Sequence, residues 1–357
     1  MGHVRASGFT TDFERFTSGN VRLTSGNRSE NAPMSAATDT VPLLFDTDPG
    51  VDDAMALAFL GLHPRVRLLG VTTVFGNAEV DQTTRNALVL CERFGIDAPV
   101  ARGAALPLVR PPRGAAVEVH GDDGLGNLPD LPDPGRTTDP RPAHRFIVET
   151  LHAHPGQVTL LAVGPLTNLA LALAEDPGIT RRVKQVVVMG GAFGVNGHGG
   201  NVSPVAEANI ANDPHAADAV FSAPWPVTVV GLDVTHEVLM GAAAFERLRR
   251  DSGDTGRLLW QASHHYVGFY RREVGVDGCF MHDASAAVYT VAPELFGTRS
   301  GPLRVVCDGL AAGQTIQSAA GRRWLLGEPW DGLPSQQVCT AVQGDRVLQL
   351  FLDTLAG

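Results

Sequence analysis

The sequence predicts an α/β protein built on an open, doubly wound, mainly parallel β-sheet with flanking helices. Short continuous apolar runs recur along the chain, as expected of strands covered on both faces. Stretches of helical length separate these runs, which is the spacing of βαβ units. No Pro/Gly-rich linker divides the 357 residues into two self-sufficient halves, so residues 41–357 read as a single domain. Residues 1–40 are rich in Ser, Thr, Gly, Asn and Arg without periodicity and read as a disordered tail, with Met34 as a second candidate start.

At Val41 the character changes. Residues 41–45 (VPLLF) form a buried strand, and the helical stretch 52–62 follows a Pro49-Gly50 turn. Residues 66–74 (VRLLGVTTV) make a second strand and 80–94 a second helix. Strands at 158–163 and 186–189 flank a helix at 166–174, and a helix at 212–222 leads into a strand at 227–232. The last third is looser, with a helix near 258–272, short strands near 303–306 and 336–342, and a closing helix at 345–355. Residues 106–142, rich in Pro, Gly and Asp, form a loop long enough to be either a functional lid or disordered. There is no internal repeat.

Composition excludes several classes of function. With 28 Lys plus Arg against 38 Asp plus Glu, the net charge of −10 argues against nucleic acid or an anionic membrane as partner. Lys184 is the sole lysine. No apolar run approaches the roughly 20 residues that span a bilayer, and the N-terminus lacks the apolar core of a secretory signal. The four cysteines, Cys91, Cys279, Cys307 and Cys339, show no C-x-x-C spacing, so reduced thiols in a cytoplasmic protein are expected rather than a zinc site or disulfide framework.

Four aspartates, Asp46, Asp48, Asp52 and Asp53, fall within eight residues at the end of the first predicted strand. Ligands of open α/β sheets bind outside the carboxyl ends of strands. The dipole of the following helix favours carboxylates there, but clustered anions repel unless a cation joins them. Helix capping accounts for one or two aspartates, not four. An all-oxygen donor set suits Ca²⁺ or Mg²⁺.

The run 46–54 (DTDPGVDDA) resembles the N-terminal signature of the nucleoside hydrolases, the calcium-dependent N-ribohydrolases of the inosine–uridine-preferring family. The resemblance continues through 71–77 (VTTVFGN), 84–86 (TRN), 119–121 (VHG), 164–168 (GPLTN), 189–191 (MGG), 206–210 (AEANI) with Asp213-Pro214, 231–233 (GLD) and His282-Asp283. Each block is weak alone, whereas the ordered set is specific.

The resemblance implies the nucleoside hydrolase fold, a Ca²⁺ cofactor, and hydrolysis of ribonucleosides to free base and ribose through an oxocarbenium-like transition state. By similarity, Asp48 is both a metal ligand and the general base for the attacking water. Asp53 is a bidentate ligand, and Asp283 and the backbone carbonyl of Val163 complete the metal shell. Asp52 grips the ribose 2′-hydroxyl, Asn77, Asn201, Glu207 and Asn209 hold the other hydroxyls, and Met189 packs against the sugar. His282 protonates or hydrogen-bonds the leaving base, and His120 is a second histidine facing it. Tyr266 and Tyr270, one helical turn apart, read equally as a wall of the base pocket or as a buried helix face. His264 and His265 are expected to be exposed, and the ten histidines other than His120 and His282 to be ordinary surface or core residues. Family members assemble as homodimers or homotetramers, so either is expected.

One departure bears on the base. Ala208 stands where protozoal enzymes carry a large aromatic residue. The Ala-Glu-Ala-Asn form, the segment 120–126 (HGDDGLG), Arg323-Trp324 and Pro329-Trp330 look more like the uridine-active plant and bacterial branch. Uridine is therefore favoured, with inosine and xanthosine open, and a 2′-deoxy substrate should be poor. The glycine-rich segment 190–200 reads as a flexible loop closing over the ribose, and Asp122 and Asp123 as solvated turn residues. A modified nucleoside of secondary metabolism stays open as the substrate. Two rivals remain: a haloacid-dehalogenase-type phosphohydrolase, for which Lys184 lacks the acidic motif behind it, and an inactive nucleoside-binding protein.

Overall fold

Val41 opens the first strand where the sequence turns apolar. The computed structural model describes residues 40–129 and 131–357; the expected tail, residues 1–39, lies outside them. The elements are β1 (Val41–Thr47), α1 (Val51–Leu62), β2 (Val66–Thr73), α2 (Val80–Arg93), β3 (Val100–Ala101), α3 (Val117–His120), α4 (Ala143–Ala153), β4 (Thr159–Ala162), α5 (Thr167–Glu175) and β5 (Gln185–Met189). Then come α6 (Ala208–Asn212), α7 (Pro214–Ser222), β6 (Val227–Val230), α8 (Leu232–Thr235), β7 (Leu239–Gly241), α9 (Ala242–Asp251), α10 (Gly253–Phe269) and β8 (Gly278–Phe280). The chain closes with α11 (His282–Tyr289), β9 (Phe296–Gly301), β10 (Leu303–Val305), β11 (Thr315–Gln317), β12 (Gln336–Val342) and α12 (Gly344–Ala356).

An eight-stranded sheet runs in the order β3-β2-β1-β4-β5-β6-β12-β9, parallel except for the β12–β9 pair at the edge. Side chains alternate between its faces, the period of two inherent to a strand. Leu43, Phe45, Leu161 and Val187 pack under α1, α2, α10, α11 and α12. Leu44, Leu160, Ala162 and Val186 pack under α4, α5 and α7. The strand order reverses between β1 and β4, and a crevice opens at such a switch point beyond the carboxyl ends of the strands. The aspartate cluster lies at that end of β1.

Several elements were not anticipated, and three of them show the physical reasons. The edge strand β9 (FGTRSG) is exposed along its middle and carries no apolar run. Helix α11 (HDASAAVY) is buried on every side, so it has no amphipathic stripe to read. Helix α4 follows the long loop directly after Pro142. The loop itself is ordered where described. Arg136 donates to the carbonyls of Ile96 and Ala98 at 2.7 and 2.8 Å, and Asp139 N–H donates to Val100.

Candidate active site

A cavity of about 340 Å³ opens beyond the strand ends. Asp52, Asn77, Val163, Met189, Asn201, Glu207, Asn209 and Asp283 line one part of it, and His120, Tyr266, Tyr270 and His282 another. Asp48 and Asp53 are buried one layer below this wall, each bonded to Asn77.

Asp53, at the third position of α1, is the most firmly held carboxylate. It accepts from the Thr47 hydroxyl, from the backbone N–H of Asp48 and Gly50 at 3.2 and 2.9 Å, and from the Asn77 amide at 2.9 Å. Four donors occupy its acceptor positions, so acting as a bidentate ligand requires some of them to turn away. Asp48 accepts only from Asn77 N–H, at 2.8 Å, and its other oxygen, Oδ1, is buried with no hydrogen-bond partner. Its space is kept by glycine. A Cβ on Gly76 would stand 2.0 Å from Asp48 Oδ2, and one on Gly164 would stand 2.5 Å from Oδ1. Gly76→Ala should therefore displace the carboxylate and cost about 10²-fold in turnover while the protein stays folded by circular dichroism. Unchanged turnover would show that Asp48 need not sit where it does.

On the other side a hydrogen-bonded chain runs from Asp52 to α8. The Tyr266 hydroxyl donates to Asp52 Oδ2 at 3.2 Å and lies 3.5 Å from the Tyr270 hydroxyl. Tyr270 in turn meets His282 Nε2 at 2.7 Å, and His282 Nδ1 meets the Thr235 hydroxyl at 2.8 Å. The second oxygen of Asp52 has no partner. His120 Nδ1 accepts from Val51 N–H at 3.2 Å, which places the ring proton on Nε2. Burial pushes His120 down to about 4, against the opposing pull of Asp53, and holds His282 well below the usual range, with His236 and His120 adding to the effect. Both rings are therefore neutral at neutral pH.

Glu207 caps α6 with both oxygens, accepting from the N–H of Asn209 at 2.9 Å, Ile210 at 3.1 Å and Gly191 at 2.9 Å. The Asn209 amide donates to the carbonyls of Val163 and Met189 at 2.8 and 3.2 Å. Asn201 accepts from Ala208 N–H at 3.0 Å.

The carboxylates suit a cation. Asp52, Asp53 and Asp283 each bring an oxygen within 4.8 Å of the others. Burial, then mutual repulsion, raises Asp48, Asp53 and Asp283 above the carboxylate range, and burial takes Asp52 to about 6. Among the described residues no lysine or arginine pairs with them, and the one basic side chain in range, the neutral His120, has its unprotonated Nδ1 3.9 Å from Asp52. Unpartnered oxygens on Asp48 and Asp52, no neutralising arginine or lysine, and an all-oxygen donor set fit a hard divalent ion.

Several residues do not lie where sequence reasoning put them. Asp46 is held by the Thr72 hydroxyl and the Asn168 amide on the Leu44 face of the sheet, apart from the other three aspartates. Asp123 is not a solvated turn residue. It accepts from the N–H of Leu125, Asn127 and Leu128 and so shapes the long loop. His265 holds α3 through the carbonyls of Val117 and Glu118, whereas His264 is exposed. The glycine-rich loop is clipped rather than free, because Asp233 accepts from Phe193 and Val195 N–H and His198 pairs with Glu237 at 2.6 Å. His236, Phe269, Val274 and Phe280 also line the cavity, and no motif marked them.

With this geometry in place, the chain can be set beside known proteins. A family model described as inosine-uridine preferring nucleoside hydrolase matches residues 43–349. Uridine nucleosidase 1 of Arabidopsis thaliana is 40% identical over 308 residues, covering 86% of this chain and 90% of its own. The inosine-uridine preferring nucleoside hydrolase of Leishmania major is 38% identical over 277 residues, covering 77% of this chain and 86% of its own. Among solved structures, the plant nucleoside hydrolase PpNRh1 superposes with a TM-score of 0.85 at 37% identity, covering 89% of this chain and 99% of its own. A purine-preferring ribonucleoside hydrolase from Gardnerella vaginalis gives a TM-score of 0.82 at 30% identity, covering 88% of this chain and 98% of its own.

Proposed function

The chain belongs to the inosine-uridine preferring nucleoside hydrolase family and hydrolyses the N-glycosidic bond of ribonucleosides, and from that premise we propose a calcium-dependent enzyme that favours uridine and also accepts inosine and xanthosine. The observation that carries this reading is the group of buried carboxylates under the cavity, two of them with an unpartnered oxygen. Asp48, Asp53, Asp283 and the Val163 carbonyl hold the ion. A divalent ion bound there lowers the pKa of a coordinated water and fixes its position.

Asp48 accepts the proton of the attacking water at its free Oδ1. Asp52 holds the ribose 2′-hydroxyl, while Asn77, Asn201, Glu207 and Asn209 hold the others and Met189 packs against the sugar. The surrounding negative charge stabilises the ribosyl cation that develops as the bond breaks. His120, neutral, serves the leaving base as a hydrogen-bond donor from Nε2, and His282, whose ring nitrogens meet Thr235 and Tyr270, serves it through the Tyr270 hydroxyl, which also links to Tyr266 and Asp52. Ala208 leaves room for either a pyrimidine or a purine. Relatives named as uridine nucleosidases support uridine as the preferred substrate.

We also place the enzyme in the cytoplasm as a homodimer or homotetramer. Four unpaired cysteines fit a reducing compartment. No helix among the described residues is long and apolar enough to cross a membrane. The fully exposed Leu310 and Leu325 leave apolar surface for a second copy.

A panel of uridine, cytidine, inosine, adenosine, xanthosine and 2′-deoxyuridine, scored for free base and sugar, tests the reading. Uridine should turn over fastest, with 2′-deoxyuridine about 10²-fold slower because Asp52 is left unpaired. Phosphate release from a sugar phosphate without ribose release from uridine would overturn it. His282→Ala should slow uridine about 10²-fold. Its effect on a p-nitrophenyl riboside, whose leaving group needs no proton, should be much smaller. Equal losses on both would remove His282 from the leaving-group side.

A further inference from the structure

We propose that His236 reads the hydrogen-bonding edge of the leaving base and is a specificity-determining contact of the enzyme, a role that rests on the nucleoside hydrolase reading above. His236 lies at the end of α8, half-buried, with its ring on the cavity wall. Its ring centroid is 4.6 Å from that of Phe280, 4.9 Å from His198 and 5.4 Å from His282. The residue before it, Thr235, is the one that holds His282 Nδ1. His236 therefore stands beside the predicted leaving-group histidine, on the aromatic side of the cavity.

The polar groups around it are already committed. His282 uses both ring nitrogens, Tyr270 bonds His282, Tyr266 bonds Asp52, and His120 spends Nδ1 on Val51. Neither nitrogen of His236 has a hydrogen-bond partner among the described residues, and neither is sealed from the cavity as an orphaned buried atom. Burial, then the neighbouring His198, pushes its imidazole down to about 4. The neutral ring carries one donor and one acceptor. One nitrogen of that ring meets the base, donating to a carbonyl or accepting from a ring N–H, groups that uracil, hypoxanthine and xanthine share.

The ring is also pre-set. Backbone N–H bonds from His236 to Leu232 and Val234 fix the end of α8. Phe280 crowds one side and His198, tied to Glu237, the other. A contact that does not have to be ordered on binding loses little entropy in making it.

The test compares His236→Phe and His236→Asn with wild type on uridine and on a p-nitrophenyl riboside, whose leaving group lacks the imide edge. His236→Phe keeps an aromatic ring, and His236→Asn restores one donor and one acceptor. The phenylalanine variant should lose at least about tenfold more kcat/KM on uridine than on the nitrophenyl substrate, as expected for one lost hydrogen bond. The asparagine variant should recover part of that difference. Equal losses on both substrates, or an unaffected uridine rate, overturn the assignment. Thermal melts show whether an equal loss comes from damaged packing. If wild type hydrolyses neither substrate, the functional reading itself fails; if it hydrolyses both and only the selective loss is missing, His236 alone is misassigned.

Discussion

Asp48→Ala should lower the turnover of uridine by about three orders of magnitude or more, with the melting temperature of the metal-free protein unchanged or raised. A positioned general base is worth about 10²–10⁴ in rate, and Asp48 has the free, buried oxygen such a base requires. Stability should not suffer, because the carboxylate contributes little to the fold. It makes one hydrogen bond, to Asn77 N–H, while burial and the adjacent Asp53 disfavour its charge. Removing an incompletely paired buried charge is commonly neutral or stabilising. The cavity left is small, and the two glycines that flank it impose no side chain of their own. Asp48→Asn provides the isosteric control, since it preserves the size and the bond to Asn77 and removes the charge on which basicity and metal binding depend. Stopped assays of uracil release together with a thermal melt decide the matter. An alanine or asparagine variant within tenfold of wild type would take the general base away from Asp48.

The legibility of this site in the sequence follows from how each residue reaches it. Asp48, Asp52 and Asp53 are local to one strand end and one helix start, so a short motif displays them together. Asp46 belongs to the same motif but points elsewhere. Position 46 is still within β1 and alternates with Phe45, so its side chain faces Thr72 and Asn168 on the opposite layer. Counting aspartates cannot separate these cases without knowing that the strand ends at Thr47. His236, Phe269 and Phe280 come from the cap of α8, from α10 and from β8, whose convergence depends on tertiary packing alone. The central strands were readable because burial on both faces makes them apolar throughout. Edge strand β9 and the wholly buried α11 carry neither signal.

Stripping the protein of divalent metal should abolish turnover and lower the melting temperature, and Ca²⁺ should restore both. The oxygens of Asp52, Asp53 and Asp283 lie within 4.8 Å of one another without a positive partner. A cation that binds only the folded state stabilises it by about 2.7 kcal/mol at a hundred times its dissociation constant, which corresponds to several degrees in the melt. The pH dependence has a definite sign. Burial raises Asp52 to about 6 and lifts Asp48, Asp53 and Asp283 as well, so the metal-free fold holds more protons than the unfolded chain. The contribution of these carboxylates to its stability is therefore full at low pH and declines as pH rises through those folded-state values. Ligand carboxylates must ionise to bind, so Ca²⁺ affinity falls as pH drops through about 6. Together these make the rise in melting temperature on adding Ca²⁺ larger near pH 8 than near pH 5. Scanning fluorimetry at the two pH values, with Ca²⁺, with Mg²⁺ and with chelator, measures it alongside uracil release. Full activity in protein shown by elemental analysis to be free of metal, or a melt indifferent to Ca²⁺ near pH 8, would mean that these carboxylates serve some end other than holding a cation.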